Sequence, residues 1–366
     1  MTQAGGQQGL KVVLSGFFGR GNCGDEALLQ AQYEWLSPRY DVVISVDERG
    51  AYEGFWDWYP YDRCRIVHQA NLSVLAEQDV IGIHVGGGGL PHGFNAAQVV
   101  HAASLGKPAF LTGVDCQPVC SAAAAAALTR YLGLFEFISV RSAAAQQSMS
   151  MVASGCHHGA DWALALPTDG PVPVPRAGTA LVTLREFPAD LLSRRYAESV
   201  AELLAVLADR FDRVALLPFC PEDERFLDRL PSAARQQREI HWWNPRRMQR
   251  EIAAADLVVS VGRLHPLVFA ANVGTPTVFV EPLAADPRWP ACAKARQLCT
   301  EHGWWYAEGA REVMAWLARS PATAMQPAGF APGSRDRWEQ MAEGLDRRLA
   351  AAVRARSDGS RLARAG

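Results

Sequence analysis

The sequence predicts an α/β protein of two doubly wound, Rossmann-like lobes with a cleft between them. Three observations carry this. Short apolar runs rich in β-branched residues alternate with helical stretches. Those runs stop at Gly, Asp or Arg, and a segment rich in proline and glycine interrupts the alternation midway. At 366 residues the chain is also too long for one ordinary domain.

The elements follow in order. In the first lobe, residues 1–170, the runs KVVLSG, DVVISVD, VIGIHVGGGG, PAFLTGVD and FISVR read as strands. The stretches DEALLQAQYEWL and SAAAAAALTRYLGLF read as helices between them, an alternation that gives a parallel sheet covered on both faces. The segment PTDGPVPVPRAG, with four prolines and two glycines, can be neither helix nor central strand, and marks the boundary. The second lobe, residues 179–330, runs as strand ALVTLR, a helix over 189–209, strand RVALLPF, helix EDERFLDRL and strand EIHWW. It continues as helix PRRMQREIAAA, strand DLVVSV, helix PLVFAANV and strand TPTVFVE. Residues 331–366 form a third region, a helix over about 335–356 followed by a basic tail. The tail carries six arginines from Arg347 onward against the single acid Asp358, and reads as solvated, with weak contact to an anionic membrane surface as the alternative.

Composition excludes some partners. A formal net charge of −2 gives no global attraction to nucleic acid. The start lacks a basic stretch followed by an apolar one, and no apolar run approaches the ~20 residues of a membrane span, so a cytoplasmic location is expected. The eight cysteines have no C-x-x-C spacing, which suits reduced thiols. Cys156, His157 and His158 are adjacent on a strand and point to opposite faces, so no metal site is expected there.

In doubly wound sheets, ligands sit beyond the carboxyl ends of the strands. After DLVVSV comes GRLHPLVFAANVGTP, which places Arg263 and His265 at a helix N-terminus, Pro266 as the first helical residue and Gly274 at the C-terminal stop. A helix N-terminus favours an anion, and a cation beside a titratable imidazole strengthens that preference. Arg185 ends ALVTLR, while Cys220, Glu222 and Asp223 follow the next strand. Two arginines and a histidine on one edge point to a ligand with two anionic groups.

The run SGFFGRGNCGDEALL contains Gly19, Gly21 and Gly24 in the spacing of a dinucleotide-binding turn, with Asp47 near the ribose-binding offset. The turn is too long for that fingerprint, because Gly19 follows Gly16 by three residues. Asp25 and Glu26 would also repel a pyrophosphate.

The same run resembles the opening Gly-Asn-x-Gly-Asp-Glu motif of the polysaccharide pyruvyltransferase family, and GRLHPLVFAANVGTP resembles its Arg-Leu-His motif. VGGGGL, GKPAFLTGVDCQP, FISVRSAAAQQSM, GADWALALP, LVTLREF and LLPFCPEDE follow in the family's order, so the resemblance spans residues 11 to about 281. It implies a fold similar to B-type glycosyltransferases. It also implies transfer of the pyruvyl group of phosphoenolpyruvate, as co-substrate and with no further cofactor, to a sugar as a ketal with release of phosphate. Arg185, Arg263, Leu264 and His265 would bind the donor, His265 serving as general acid. Asp25 would be the base or hydroxyl acceptor, with an N-cap as its alternative role. Asn22, Gly86, Gly87, Gly88 and Asp223 would line the acceptor side, the glycines by letting a sugar approach closely. Trp242 and Trp243 read as core residues of a strand.

The sequence departs from the family after TPTVFV, where EPLAADPRWP offers only Asp286, Pro287 and Arg288 as an echo of Tyr-Asp-Pro-Lys. PHGF after the glycines replaces a Gln-Asp pair. Three alternatives therefore stand beside pyruvyl transfer to a sugar. They are a B-type glycosyltransferase using a nucleotide sugar, a divergent member acting on a non-polysaccharide small molecule or peptide, and a non-catalytic sugar- or anion-binding protein.

Overall fold

The computed structural model describes residues 9–47, 54–90, 95–116, 121–167, 177–186, 194–228, 238, 241–281, 293–319 and 327–365. Most of the proline-rich linker, the start of the helix expected from residue 189, and Asp286, Pro287 and Arg288 lie outside them. The chain divides into two compact units. The first comprises residues up to Arg20, Leu28–Trp162 and Gly333–Gly366; the second comprises Gly21–Ala27 and Ala163–Pro332.

In the first unit the elements are β1 (Lys11–Ser15), α1 (Cys23–Leu36, of which Cys23–Ala27 group with the second unit), β2 (Asp41–Val46), β3 (Arg65–His68), β4 (Val80–Gly86) and β5 (Gly89–Leu90). There follow α2 (Ala96–Ser104), β6 (Ala109–Cys116), α3 (Ala122–Leu132), β7 (Phe135–Val140), α4 (Ala143–Ser150) and β8 (His157–His158). The strand order is β3-β2-β1-β4-β6-β7-β8, every pairing is parallel, and β5 adds to β6. β4 and β6 are buried along their whole length, which is why their sequences are largely apolar, and the polar residues within them are paired, His84 with Thr112 and Asp115 with Arg141. Ser121 and Ser142 start α3 and α4 by accepting the N–H of Ala124 and Ala145, at 3.2 and 3.1 Å.

The second unit carries β9 (Thr179–Leu184), α5 (Arg194–Ala208), β10 (Arg213–Leu216), α6 (Pro221–Leu227), α7 (Pro245–Ala253), β11 (Leu257–Val261) and α8 (His265–Val273). It closes with β12 (Thr277–Val280), α9 (Ala293–His302), β13 (Trp305–Ala307) and α10 (Ala310–Arg319). Its parallel sheet has the order β10-β9-β11-β12-β13. One face packs on α5 and α10 through Val182, Leu184, Val259, Val280, Leu203 and Val313. Asn244 caps α7 by accepting the Arg247 N–H at 3.0 Å, with Pro245 in its first turn.

The expected C-terminal region is not separate. α11 (Ser334–Ala365) runs on through the basic tail, and groups with the first unit because Trp338, Met341, Ala342, Leu345 and Leu349 are buried. Trp35 donates its indole N–H to Asp346 at 3.2 Å, which ties α11 to α1. Of the strand expected over EIHWW, Glu239 and Ile240 lie outside the described residues, and the rest is corrected. Trp242 and Trp243 occupy a turn before α7, Trp242 buried and Trp243 exposed.

Candidate active site

In the second sheet, β9 lies between β10 and β11, so the winding direction changes at the β9–β11 pair. That is where a doubly wound sheet opens a crevice at its carboxyl edge. Arg185 directly follows β9, and its N–H donates to Val261 O at 3.0 Å. Gly262 turns the chain after β11 with φ 77°, a left-handed conformation suited to glycine. Arg263, Leu264 and His265 come next. His265 is the first residue of α8 and Pro266 the second, one place later than its sequence position suggested. At the other end Gly274 closes α8 at φ 76°, its N–H donating to Ala270 O. Leu264 is buried, while Arg263 and His265 are half-buried.

Arg263 is held from behind. Its Nε donates to Asp223 Oδ2 at 2.9 Å and its Nη2 to Asp223 Oδ1 at 2.5 Å, while Nη2 also donates to Cys220 Sγ at 2.7 Å. Burial alone would lower the pKa of this guanidinium, but the charge of Asp223 outweighs it and the net shift is upward. Asp223 therefore does not line an acceptor site as the sequence suggested. It is fully buried, and both of its oxygens are engaged by Arg263 and by backbone amides.

The Gly-Asn-x-Gly-Asp-Glu segment belongs to this same unit, not to the first lobe where the sequence assigned it. The N–H of Cys23 donates to Phe219 O at 2.8 Å. A Cβ on Gly24 would stand 1.9 Å from His265 Nδ1, so only glycine lets the first turn of α1 lie against that imidazole. Gly21, at φ 71°, fits against Trp242 in the same way, with the ring 2.9 Å from a hypothetical Cβ. The cap of α1 is Asn22, whose Oδ1 accepts the Gly24 N–H at 3.3 Å. Asp25 is thereby released from the capping role offered as its alternative. It is nearly buried, accepts from Asn22 Nδ2 at 2.5 Å, and adds its charge to the field around Arg263. Burial pushes the Cys23 and Cys220 thiols well up.

Glycines of the first unit behave differently. A Cβ on Gly86 would meet Gln32 Oε1 at 2.0 Å and one on Gly87 would meet Leu28 at 2.3 Å, so both serve the packing of α1 on the end of β4. Gly88, at φ 80°, has nothing within 4 Å of a hypothetical Cβ and is the one of the three that leaves open space. Asp47, the would-be ribose acid, is engaged by Arg20, whose guanidinium also lies 4.0 Å over the Phe17 ring. Gly21 and Gly24 of the G-x-G-x-x-G spacing thus answer to the Trp242 and His265 side chains.

Sequence reasoning passed over Glu281. It follows β12 at the same carboxyl edge, is buried, donates its N–H to Ala307 O at 2.8 Å, and accepts a hydrogen bond from the Tyr306 hydroxyl. The available signal was an acid ending TPTVFVE. Among the described residues, no three His, Cys, Asp or Glu side chains converge as a metal site would need, and no helix is long and apolar enough to cross a membrane.

Each unit is a parallel sheet wound in both directions from its first strand, which defines the two-lobed Rossmann-like class that includes B-type glycosyltransferases. Solved structures share this fold. MnaA from S. aureus, in a co-structure with UDP, is 10% identical with a TM-score of 0.57, over 92% of this chain and 96% of that one. A putative UDP-N-acetylglucosamine 2-epimerase from Listeria monocytogenes is 11% identical with a TM-score of 0.56, over 87% and 92%. A UDP-glucosyltransferase from Polygonum tinctorium is 13% identical with a TM-score of 0.53, over 96% and 98%. At these identities the likeness is one of fold. No curated protein sequence matches. The polysaccharide pyruvyl transferase family model matches residues 22–282, and the chain belongs to that family of transferases.

Proposed function

We propose that this protein transfers the pyruvyl group of phosphoenolpyruvate to a hydroxyl-bearing acceptor as a ketal and releases phosphate. The observation that carries this is the second sheet's switch point, where Arg185, Arg263 and the start of α8 with His265 share one edge. Phosphoenolpyruvate is small and carries a phosphate and a carboxylate, which match two cations and a helix N-terminus.

In this reading Arg185, Arg263 and the backbone at Leu264 and His265 hold the two anionic groups. Protonated His265 delivers a proton to the methylene carbon, and the C2 centre becomes electrophilic. One acceptor hydroxyl adds to C2 and loses its proton, the bond from C2 to the phosphate oxygen breaks, and a second hydroxyl closes the ketal with loss of its proton. Phosphate leaves with one of the protons released. Asp25, braced by Asn22, takes a hydroxyl proton.

The reading is tested with His265→Ala. Phosphate release should fall by about 10²–10⁴-fold, as for loss of a general acid. Phosphoenolpyruvate affinity should stay within about tenfold, or ~1.4 kcal/mol. Unchanged turnover would remove His265 from the chemistry. The likeness to a UDP-bound fold favours a second reading, a nucleotide-sugar glycosyltransferase. Thermal unfolding with phosphoenolpyruvate, UDP or NAD separates the two, because a ligand at ~100 times its Kd adds ~2.7 kcal/mol. Stabilisation by UDP with phosphoenolpyruvate inert would favour the glycosyltransferase.

A further inference from the structure

Asp223 ties together the ends of three adjacent strands. Its Oδ1 accepts the Glu186 N–H at 2.9 Å, just beyond β9, and its Oδ2 accepts the Phe219 N–H at 3.1 Å, beyond β10. The same two oxygens grip Arg263, just beyond β11, at 2.5 and 2.9 Å. All four contacts are made by a side chain with no exposure, on the first turn of α6.

We infer that Asp223 is the positioning residue of the anion site, fixing the Arg263 guanidinium so that a ligand meets it end-on, at Nη1. The guanidinium is a planar fork of five N–H donors. Nε and Nη2 are directed at Asp223, and Nη2 also reaches Cys220 Sγ. Asp223 thereby takes the Nε–Nη2 edge and Cys220 the remaining Nη2 hydrogen of the Nη1–Nη2 edge, which leaves no free pair of parallel N–H bonds to clamp a carboxylate. A ligand oxygen receives one charge-assisted bond from a side chain whose torsions are already fixed, which lowers the entropy cost of binding. Purely as a source of stability such a pair is a poor device, since a buried ion pair gains little over an apolar replacement. Presentation of a charge at a strand end is the role that its geometry serves.

The inference rests on the anionic-donor reading, and the experiment separates the two. Phosphoenolpyruvate and inorganic phosphate are titrated calorimetrically into the wild type, Asp223→Asn, Arg263→Ala and the double variant. Asp223→Asn should weaken both probes at least tenfold. The double variant should bind no worse than Arg263→Ala, because both changes remove one shared contact. Asp223→Glu, which keeps the charge, should recover part of the loss and serves if the Asn variant does not fold. In ligand-free protein the Arg263 Nε–H resonance, assigned by its absence from Arg263→Lys, should resist solvent exchange in the wild type and lose that protection in Asp223→Asn. Binding by Asp223→Asn within twofold of the wild type, additive losses in the double variant, or an unprotected Nε–H in the wild type would each overturn the inference. A wild type that binds neither probe removes the donor reading, while the resonance still decides whether Asp223 orders Arg263.

Discussion

Two arginines, each just past a strand of its own sheet and each gripped by buried aspartate, have opposite fates. Arg141 follows β7 and donates Nη1 to Asp161 at 3.0 Å and Nη2 to Asp115 at 3.3 Å, with 2% of its side chain exposed. Arg263 follows β11, answers to one carboxylate on its Nε and Nη2 side, and keeps 14% exposed. Burial opposes the charge of both, and in both the carboxylates outweigh it. The first arginine is enclosed between two acids in the interior of its unit. The second presents an end to whatever arrives. Sequence alone writes both as an apolar run followed by Arg, so the number and placement of aspartates separate structural cation from candidate site cation.

The comparison can be broken first at its strongest point. Arg141→Met leaves Asp115 and Asp161 buried without their cation, and should cost about 3–5 kcal/mol of stability in chemical denaturation. Arg263→Ala should cost less, because Asp223 keeps two backbone donors, and should instead sharply reduce stabilisation by phosphoenolpyruvate. Equal stability losses with retained phosphoenolpyruvate binding would erase the distinction.

Acid sharpens the picture of the first unit's polar interior. His84 is fully buried beside Thr112 Oγ1, 2.6 Å from its Nε2, and burial pulls its pKa to about 3. Between that value and ~6.5 the unfolded chain binds a proton that the folded one refuses, so stability is complete above ~6.5 and is lost as pH falls. The loss should reach about 2 kcal/mol by pH 5, and His84→Gln should flatten the dependence.

At the second edge, Gly24→Ala should gain a little helix propensity and lose more to overpacking against His265, for a net cost of about 1–2 kcal/mol. Turnover should fall much further than stability, and a variant with normal turnover would detach Gly24 from the site. The smallest effect is expected at the first edge. Gly88→Ala should cost about 1 kcal/mol, from its left-handed backbone alone. Gly87→Ala should cost more, because the new methyl also meets Leu28.

The alternation of strand and helix, the two sheets and the strand ends at Arg185 and Arg263 were legible because they are encoded over a few consecutive residues, as period, cap and turn. The turn at Trp242 was not, since its aromatic residues look like a strand until Trp242 packs on Gly21. Gly86 and Gly87 looked like room for a ligand, and proved to be room for Gln32 and Leu28.

By itself, then, the sequence determined the α/β class, the family motifs and the placement of Arg263 and His265 at a helix start. Only tertiary structure decided that Gly21–Ala27 groups with the second unit, that Asp223 serves Arg263, and that α11 belongs with the first sheet. The reason is sequence separation. The Cys23 N–H meets Phe219 O, and Gly24 meets His265, across chain lengths that no local pattern spans, so packing and hydrogen-bond satisfaction choose the partners.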